Sequence, residues 1–200
     1  MSLDTYTNLK IEIADHLDRD NDSTIDTFID LAEARHKREV RIREMLARST
    51  LDISTRYVTL PDDFLEMKGM RLLTDPVTIL NEVNFYEISR VRSESSGKPT
   101  YFTVHEEIEL DRTPDQTYTL EHVYYFSLTA LSSSNETNAI LTKAPDLYLY
   151  GALLSAAPYL MNDERIQTWN SLYISALSLV NGMDRKRAGP LVSKVVGATP

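Results

Sequence analysis

The chain has 200 residues, 42% of them hydrophobic, which is enough for one compact domain with an insertion or for two small domains. It contains no cysteine, which excludes disulfide staples, thiol catalysis and cysteine-ligated metal and fits synthesis in a reducing cytoplasm. Its formal net charge of −9 disfavours tight nucleic-acid binding, and its first residues offer neither a secretory leader nor a lipidation signal.

Tyr6, Leu9, Ile13 and Leu17 fall at helical spacing and predict a first helix. The polar run DRDND breaks it, and Ser23 or Thr24 suits the cap of a longer second helix. Asp18, Asp20, Asp22 and Asp26 imitate a calcium loop, in which alternate carboxylates converge on a hard cation. Ser23 stands where that loop needs glycine and Ile29 where it needs a bidentate glutamate, so an inter-helix loop with capping aspartates is expected instead. Phe28, Ile29, Leu31 and Ala32 give the second helix an apolar side, but its middle, EARHKREVRIRE, is mostly charged. Glu33 and Lys37, Arg35 and Glu39, and Glu39 and Arg43 are spaced for pairing along one helix face, at about 0.2–0.5 kcal/mol per pair. The interleaved glutamates and the lack of aromatics argue against reading Arg35, Lys37, Arg38, Arg41 and Arg43 as a nucleic-acid patch.

From residue 50 to about 128 the texture changes to short strands: LDISTRYVTL, MKGMRLLT, PTYFTVH, EIELDRT and YTLEHVYYF, with turn signals at PDD, SSGKP and TPDQ. A short helix is expected at NFYEISRVR. His105-Glu106-Glu107-Ile108-Glu109 resembles the start of a zinc-binding helix but has no second histidine at the required spacing, and reads as a strand turn. There is no phosphate-binding glycine loop and no G-x-S-x-G elbow, and His16, His36 and His122 have no evident nucleophile partner. No catalytic residue, metal or cofactor is therefore predicted. Residues 131–135 read as a polar return loop, and the sequon at Asn135 has no secretory route to serve it.

Pro145 and Asp146 suit a helix start, because proline lacks the donor that would be orphaned there and the carboxylate meets the positive helix end. Leu147 to Ala157 are apolar on every face, which predicts a central, buried helix, while Pro158 and the short length argue against a membrane span. Asn162 can cap a final amphipathic helix with Ile166, Trp169, Tyr173, Ala176, Leu177 and Val180 on one side and Gly182 as its stop. Each large side chain buried along these two helices contributes roughly 1.5–3 kcal/mol. After Gly182, the breakers Gly189, Pro190, Gly197 and Pro200 predict an extended tail. Arg185, Lys186, Arg187 and Lys194 less Asp184 give this tail +3, which leaves −12 on the rest of the chain. Leu191, Val192, Val195 and Val196 make it too apolar for a simple solubility tail and suit it to fill pockets or add a strand on a partner.

The predicted fold class is α+β: a helical bundle from residues 1–49 and 137–183, a small β-domain inserted at 50–136, and an extended tail at 184–200. Four segments in this order, TYTNLKIEIADHLDRDNDSTIDTFIDLAEARHKREVRIREML, LPDDFLEMKGMRL, GKPTYFTVHEEIEL and the helical block from residue 137, resemble the head-to-tail adaptor proteins of tailed bacteriophages. Together they span nearly the whole chain. The resemblance implies a non-enzymatic virion component, made in the host cytoplasm, that forms a dodecameric ring beneath the portal protein. Such a ring extends the DNA channel, retains packaged DNA and docks a downstream tail or nozzle protein. An acidic channel wall suits double-stranded DNA that passes without specific binding, and no membrane is involved. The resemblance further implies that the C-terminal segment grips the portal, here Arg185, Lys186, Arg187, Leu191, Val192, Val195 and Val196. Contact with neighbouring adaptor subunits or with the tail is carried to Arg35, Glu39, Arg43, Tyr101 and Glu107. The alternatives are another tail-tube or stopper component and, from a different class, a small cytoplasmic hydrolase using Glu106, Glu107 or Glu109.

Overall fold

A computed structural model describes residues 3–18, 23–160 and 164–187. In chain order its elements are α1 (Tyr6–Leu17), α2 (Thr24–Glu39), a 3-10 turn (Arg43–Met45), β1 (Leu46–Ile53), β2 (Tyr57–Thr59), β3 (Phe64–Leu72), β4 (Thr78–Glu82), α3 (Phe85–Val91), β5 (Tyr101–Val104), β6 (Glu107–Leu110), β7 (Tyr118–Phe126), α4 (Ala139–Lys143), α5 (Pro145–Ala156), a second 3-10 turn (Ala157–Tyr159) and α6 (Arg165–Arg187). They fall into two units, a helical one made of Met1–Glu44 with Thr129–Pro200 and a sheet unit of Met45–Leu128. The fold is mixed α+β.

In the helical unit, α1 is closed at both ends by its own neighbours. The Thr5 side chain accepts from the Asn8 amide, and Asp18, left-handed at φ 50°, returns its own amide to the carbonyls of Ala14 and Asp15. Asp18 therefore terminates a helix, and Asp26 accepts from the Tyr6 hydroxyl at 2.8 Å and pairs with Lys10 at 2.5 Å. Asp20 and Asp22 lie outside the described residues, as does the expected cap Asn162. Of the two expected caps, Ser23 takes the N-cap position of α2 without a side-chain capping bond, and Thr24 is the first helical residue. α5, with Pro145 in its first turn, buries Leu147, Tyr148, Leu149, Gly151, Ala152, Leu153 and Ala156, as its lack of a polar stripe predicts. It packs against α1, α2 and α6, so helices from the two ends of the chain share one core.

α6 departs from the expected boundary. It runs through Gly182 to Arg187, so Arg185, Lys186 and Arg187 belong to its last turn and not to an extended tail. Basic residues in the last turn of a helix favour the helical state, because that end of the helix dipole is negative. A Cβ added at Gly182 would meet nothing within 4 Å among the described residues, so their packing does not require glycine. Gly182→Ala is expected to raise stability by up to about 1 kcal/mol through helix propensity, visible as a higher urea midpoint. A lower midpoint would show that the helix does not continue through this residue.

The sheet unit has seven strands in the order β1-β7-β3-β4-β5-β6-β2 and curls nearly closed. β4 and β5 are its parallel pair, and α3 lies in the connection between them, as a parallel pair requires a crossover. α3 is fixed by a capping box in which the Asn84 side chain accepts from the Tyr86 and Glu87 amides, and it buries Ile88. β7 is central, with β1 and β3 on either side. Its inward residues Tyr118, Leu120 and Tyr124 join Met70, Leu72 and Phe102 in the core.

Candidate functional site

The charged middle of α2 separates into an inner and an outer side. Ile25, Phe28, Ile29, Ala32, Glu33 and His36 form one buried stripe, so the helix carries two polar side chains into the core. Glu33, expected to pair with Lys37 on the surface, is instead 7% exposed, and its Oε1 accepts from the Leu131 amide at 2.8 Å and the Tyr148 hydroxyl at 3.0 Å. Asn138, which caps α4, donates to the same Tyr148 oxygen at 2.7 Å. Burial raises the Glu33 carboxyl above its ordinary value, opposed by the two hydrogen bonds it accepts. His36 lies between Tyr148, edge-on at 4.7 Å, and Tyr173, stacked at 6.2 Å. Burial pushes the His36 imidazole down to about 4, so at neutral pH it is an uncharged packing group.

On the outer side, Arg35 and Glu39 pair as their spacing predicts, with Nε 3.1 and 3.2 Å from the two carboxylate oxygens. Tyr173 of α6 completes the arrangement. Its hydroxyl donates to Glu39 at 2.8 Å, and the Arg35 guanidinium lies over its ring at 4.0 Å from the centroid. Asn181 of α6 donates to the Glu39 carbonyl and accepts from the Arg41 amide, so it joins α6 to the chain leaving α2. Arg35 and Glu39 thus hold two helices of the same chain together. The expected helical pairing of Glu39 with Arg43 is absent as such, because α2 ends at Glu39 and Val40 is extended. Arg43 sits in the following 3-10 turn, 3.6 Å from the Glu44 carboxylate, with its side chain 63% exposed.

Tyr101 and Glu107 belong to the sheet unit and stand at opposite ends of the β5–β6 hairpin. The Tyr101 amide donates to buried Asp111, whose carboxylate also takes the Thr100 amide and hydroxyl. Glu107 is exposed, lies opposite Thr59 of β2, and its carbonyl accepts from the His105 amide in the tight turn. Of the carboxylates considered for hydrolysis, Glu109 is 3.3 Å from the Arg92 guanidinium. Among the described residues no group of His, Cys, Asp and Glu is placed to hold a metal, and no helix is long and apolar enough to cross a membrane.

These arrangements join and pack the elements of the chain itself. A family model described as SU10 adaptor protein matches residues 4–194, nearly the whole chain. The chain belongs to the SU10 adaptor protein family. It is accordingly a structural adaptor protein of the bacteriophage virion, working where portal and tail proteins meet. Comparison with individually curated proteins returns no match. The match takes in Leu191 and Val192 of this SU10 adaptor and stops short of Val195 and Val196, and these four residues lie outside the described residues. Sequence reasoning missed Glu33, Tyr148, Asn138 and Asn181 as partners across the adaptor's helices. The available signal was the register of α2, where His36 extends the stripe of Ile25, Ile29 and Ala32 by one further turn.

Proposed function

We propose that this SU10 adaptor forms a ring beneath the portal, dodecameric in number, which extends the DNA channel, retains packaged DNA and docks the next tail protein. The observation that carries the reading is the family match across residues 4–194. The charge distribution supports it. A body at −12 repels phosphates and lets a duplex slide past, while the segment from Asp184 onwards has the opposite sign. In this reading the portal is gripped by Arg185, Lys186 and Arg187 at the end of α6 together with Leu191, Val192, Val195 and Val196 beyond it. Arg43, Tyr101 and Glu107 face neighbouring subunits or the tail, and Arg35 and Glu39 act through the α6 position that they fix. Many weak grips on one ring add up through effective concentration, so each single contact need not be strong.

Native mass spectrometry with the portal ring of the same genome tests this. The full chain is expected to bind at one copy per portal subunit. A chain ending at Arg187 is expected to keep its helical signal and melting temperature and to lose portal attachment. Attachment unchanged by that truncation overturns the gripping role of Leu191, Val192, Val195 and Val196, and failure of the full chain to bind an intact portal ring overturns the ring reading.

A further inference from the structure

α6 contains no charged residue between Arg165 and Asp184, in a chain of which 26% is charged. Burial accounts for only one side of it, where Trp169, Tyr173 and Ala176 are enclosed. On the other side Leu172, Ile174 and Leu179 are 40%, 54% and 60% exposed among serines and a threonine. A solvated helix face ordinarily carries lysine and glutamate, and this one carries none. Thr168, Leu172, Ser175 and Leu179 stand at alternating four- and three-residue steps, the repeat with which one helix presents a single seam to another, and Ser171 and Ser178 flank them. The small residues of the seam allow close backbone approach.

We propose that this outer face of α6 is the surface on which a second copy of the chain docks. Charge selects the occupant. Two copies at −9 each repel through most of their surfaces, and an uncharged strip is where they approach at least electrostatic cost. Nucleic acid is a poor alternative, because it needs cations that Ile166 to Met183 do not supply. The area also fits a copy that binds as part of a ring. Twenty-three residues make a helix about 35 Å long, whose face of about 350 Å² is well under the roughly 800 Å² per partner of a stable interface. One such contact is weak alone and becomes effective when other contacts or a template hold the copies together. The inference deepens the ring reading and rests on it for the number of copies, not for the contact itself.

The chain has no cysteine, so Ser175→Cys provides a single attachment point for a benzophenone photo-crosslinker. Irradiated free at high concentration and, separately, on the portal ring, the full chain is expected to give covalent dimers in which position 175 is joined to a peptide of this chain. Adding Leu172→Glu and Leu179→Glu is expected to cut the dimer yield by about tenfold while the monomer keeps its helical signal. Absence of dimers from both samples, or adducts to the portal alone, overturns the proposal. Dimers of the free chain without any portal binding leave this contact standing and sink the ring reading instead.

Discussion

Gly151→Leu is expected to unfold the helical unit, whereas Gly151→Ala is expected to be close to neutral. Gly151 lies in the middle of α5, against side chains of both α2 and α6. A Cβ placed there stands 3.2 Å from the Ala32 Cβ, 3.3 Å from His36 Nε2 and 3.4 Å from Tyr173 Cε2. Alanine asks for shifts of a few tenths of an ångström, offset by a helix-propensity gain of about 1 kcal/mol. Leucine adds a branched side chain where side chains of α2 and α6 already stand within 3.4 Å of the Cβ position, and overpacking of this kind costs about 1–3 kcal/mol and occasionally more, here at the upper end because both helices must give way. The single tryptophan, Trp169, is buried on α6 and reports the event. Its emission is expected to shift to the red in the leucine variant at temperatures where the parent chain is folded. An unshifted spectrum with an unchanged melting temperature would falsify the three-helix contact at Gly151.

The second large effect is an acid sensitivity located at His36. The folded chain holds this imidazole neutral down to about 4, against 6.5 for an ordinary histidine. As pH falls through 6.5 the unfolded chain takes up a proton that the folded chain refuses, so stability is present above that value and is lost on the way down. Over the full window the loss is about 3 kcal/mol, of which about 2 kcal/mol falls between roughly pH 7 and pH 5. Glu33 works in the other sense. Its raised carboxyl stays protonated in the folded chain after the unfolded chain has ionised, so its contribution declines as pH rises above 4.5. His36→Leu is therefore expected to abolish the drop toward pH 5 and to leave a shallow dependence of opposite slope. Urea titrations of both chains at the two pH values decide it, and an undiminished acid drop in His36→Leu would place the sensitivity elsewhere.

The helices of this adaptor were legible because their apolar spacing is their cause. Tyr6, Leu9, Ile13 and Leu17 mark α1 to its ends, and the all-apolar run after Pro145 marks α5 as the buried centre. Two boundaries were misread for local reasons. Gly182 has the chemistry of a stop, yet the helix continues past it into the basic turn at Arg185 to Arg187. β1 begins at Leu46, before the expected change of texture at residue 50, and its early residues Ala47, Arg48 and Ser49 gain strand character from pairing with Tyr124, Val123 and His122 of β7. β4 was not expected at all, because Leu80 is the one buried residue in Thr78–Glu82 and a single apolar side chain sets no period. Pairings between strands distant in the chain, such as β1 with β7, are set by the closing sheet and have no local signature. The polar partners inside the helical unit were hidden by composition. A run as charged as EARHKRE reads as solvent-facing, and only its position on α2 shows that Glu33 and His36 turn inward. The basic and apolar C-terminal segment was legible by type alone, since a partner's surface is not written in this chain.

The helical unit is assembled from both ends of the chain, and this sets an order of events during synthesis. The sheet unit is one continuous stretch, Met45–Leu128, and has all its strands once that stretch has left the ribosome. α1 and α2 emerge earlier still but must wait for α5, with the stripe from Ile25 to His36 uncovered until Tyr148 and Gly151 arrive. The α6 face is the last to be put in place, after α5 itself. A subunit still being translated therefore lacks the surface proposed here for its neighbours.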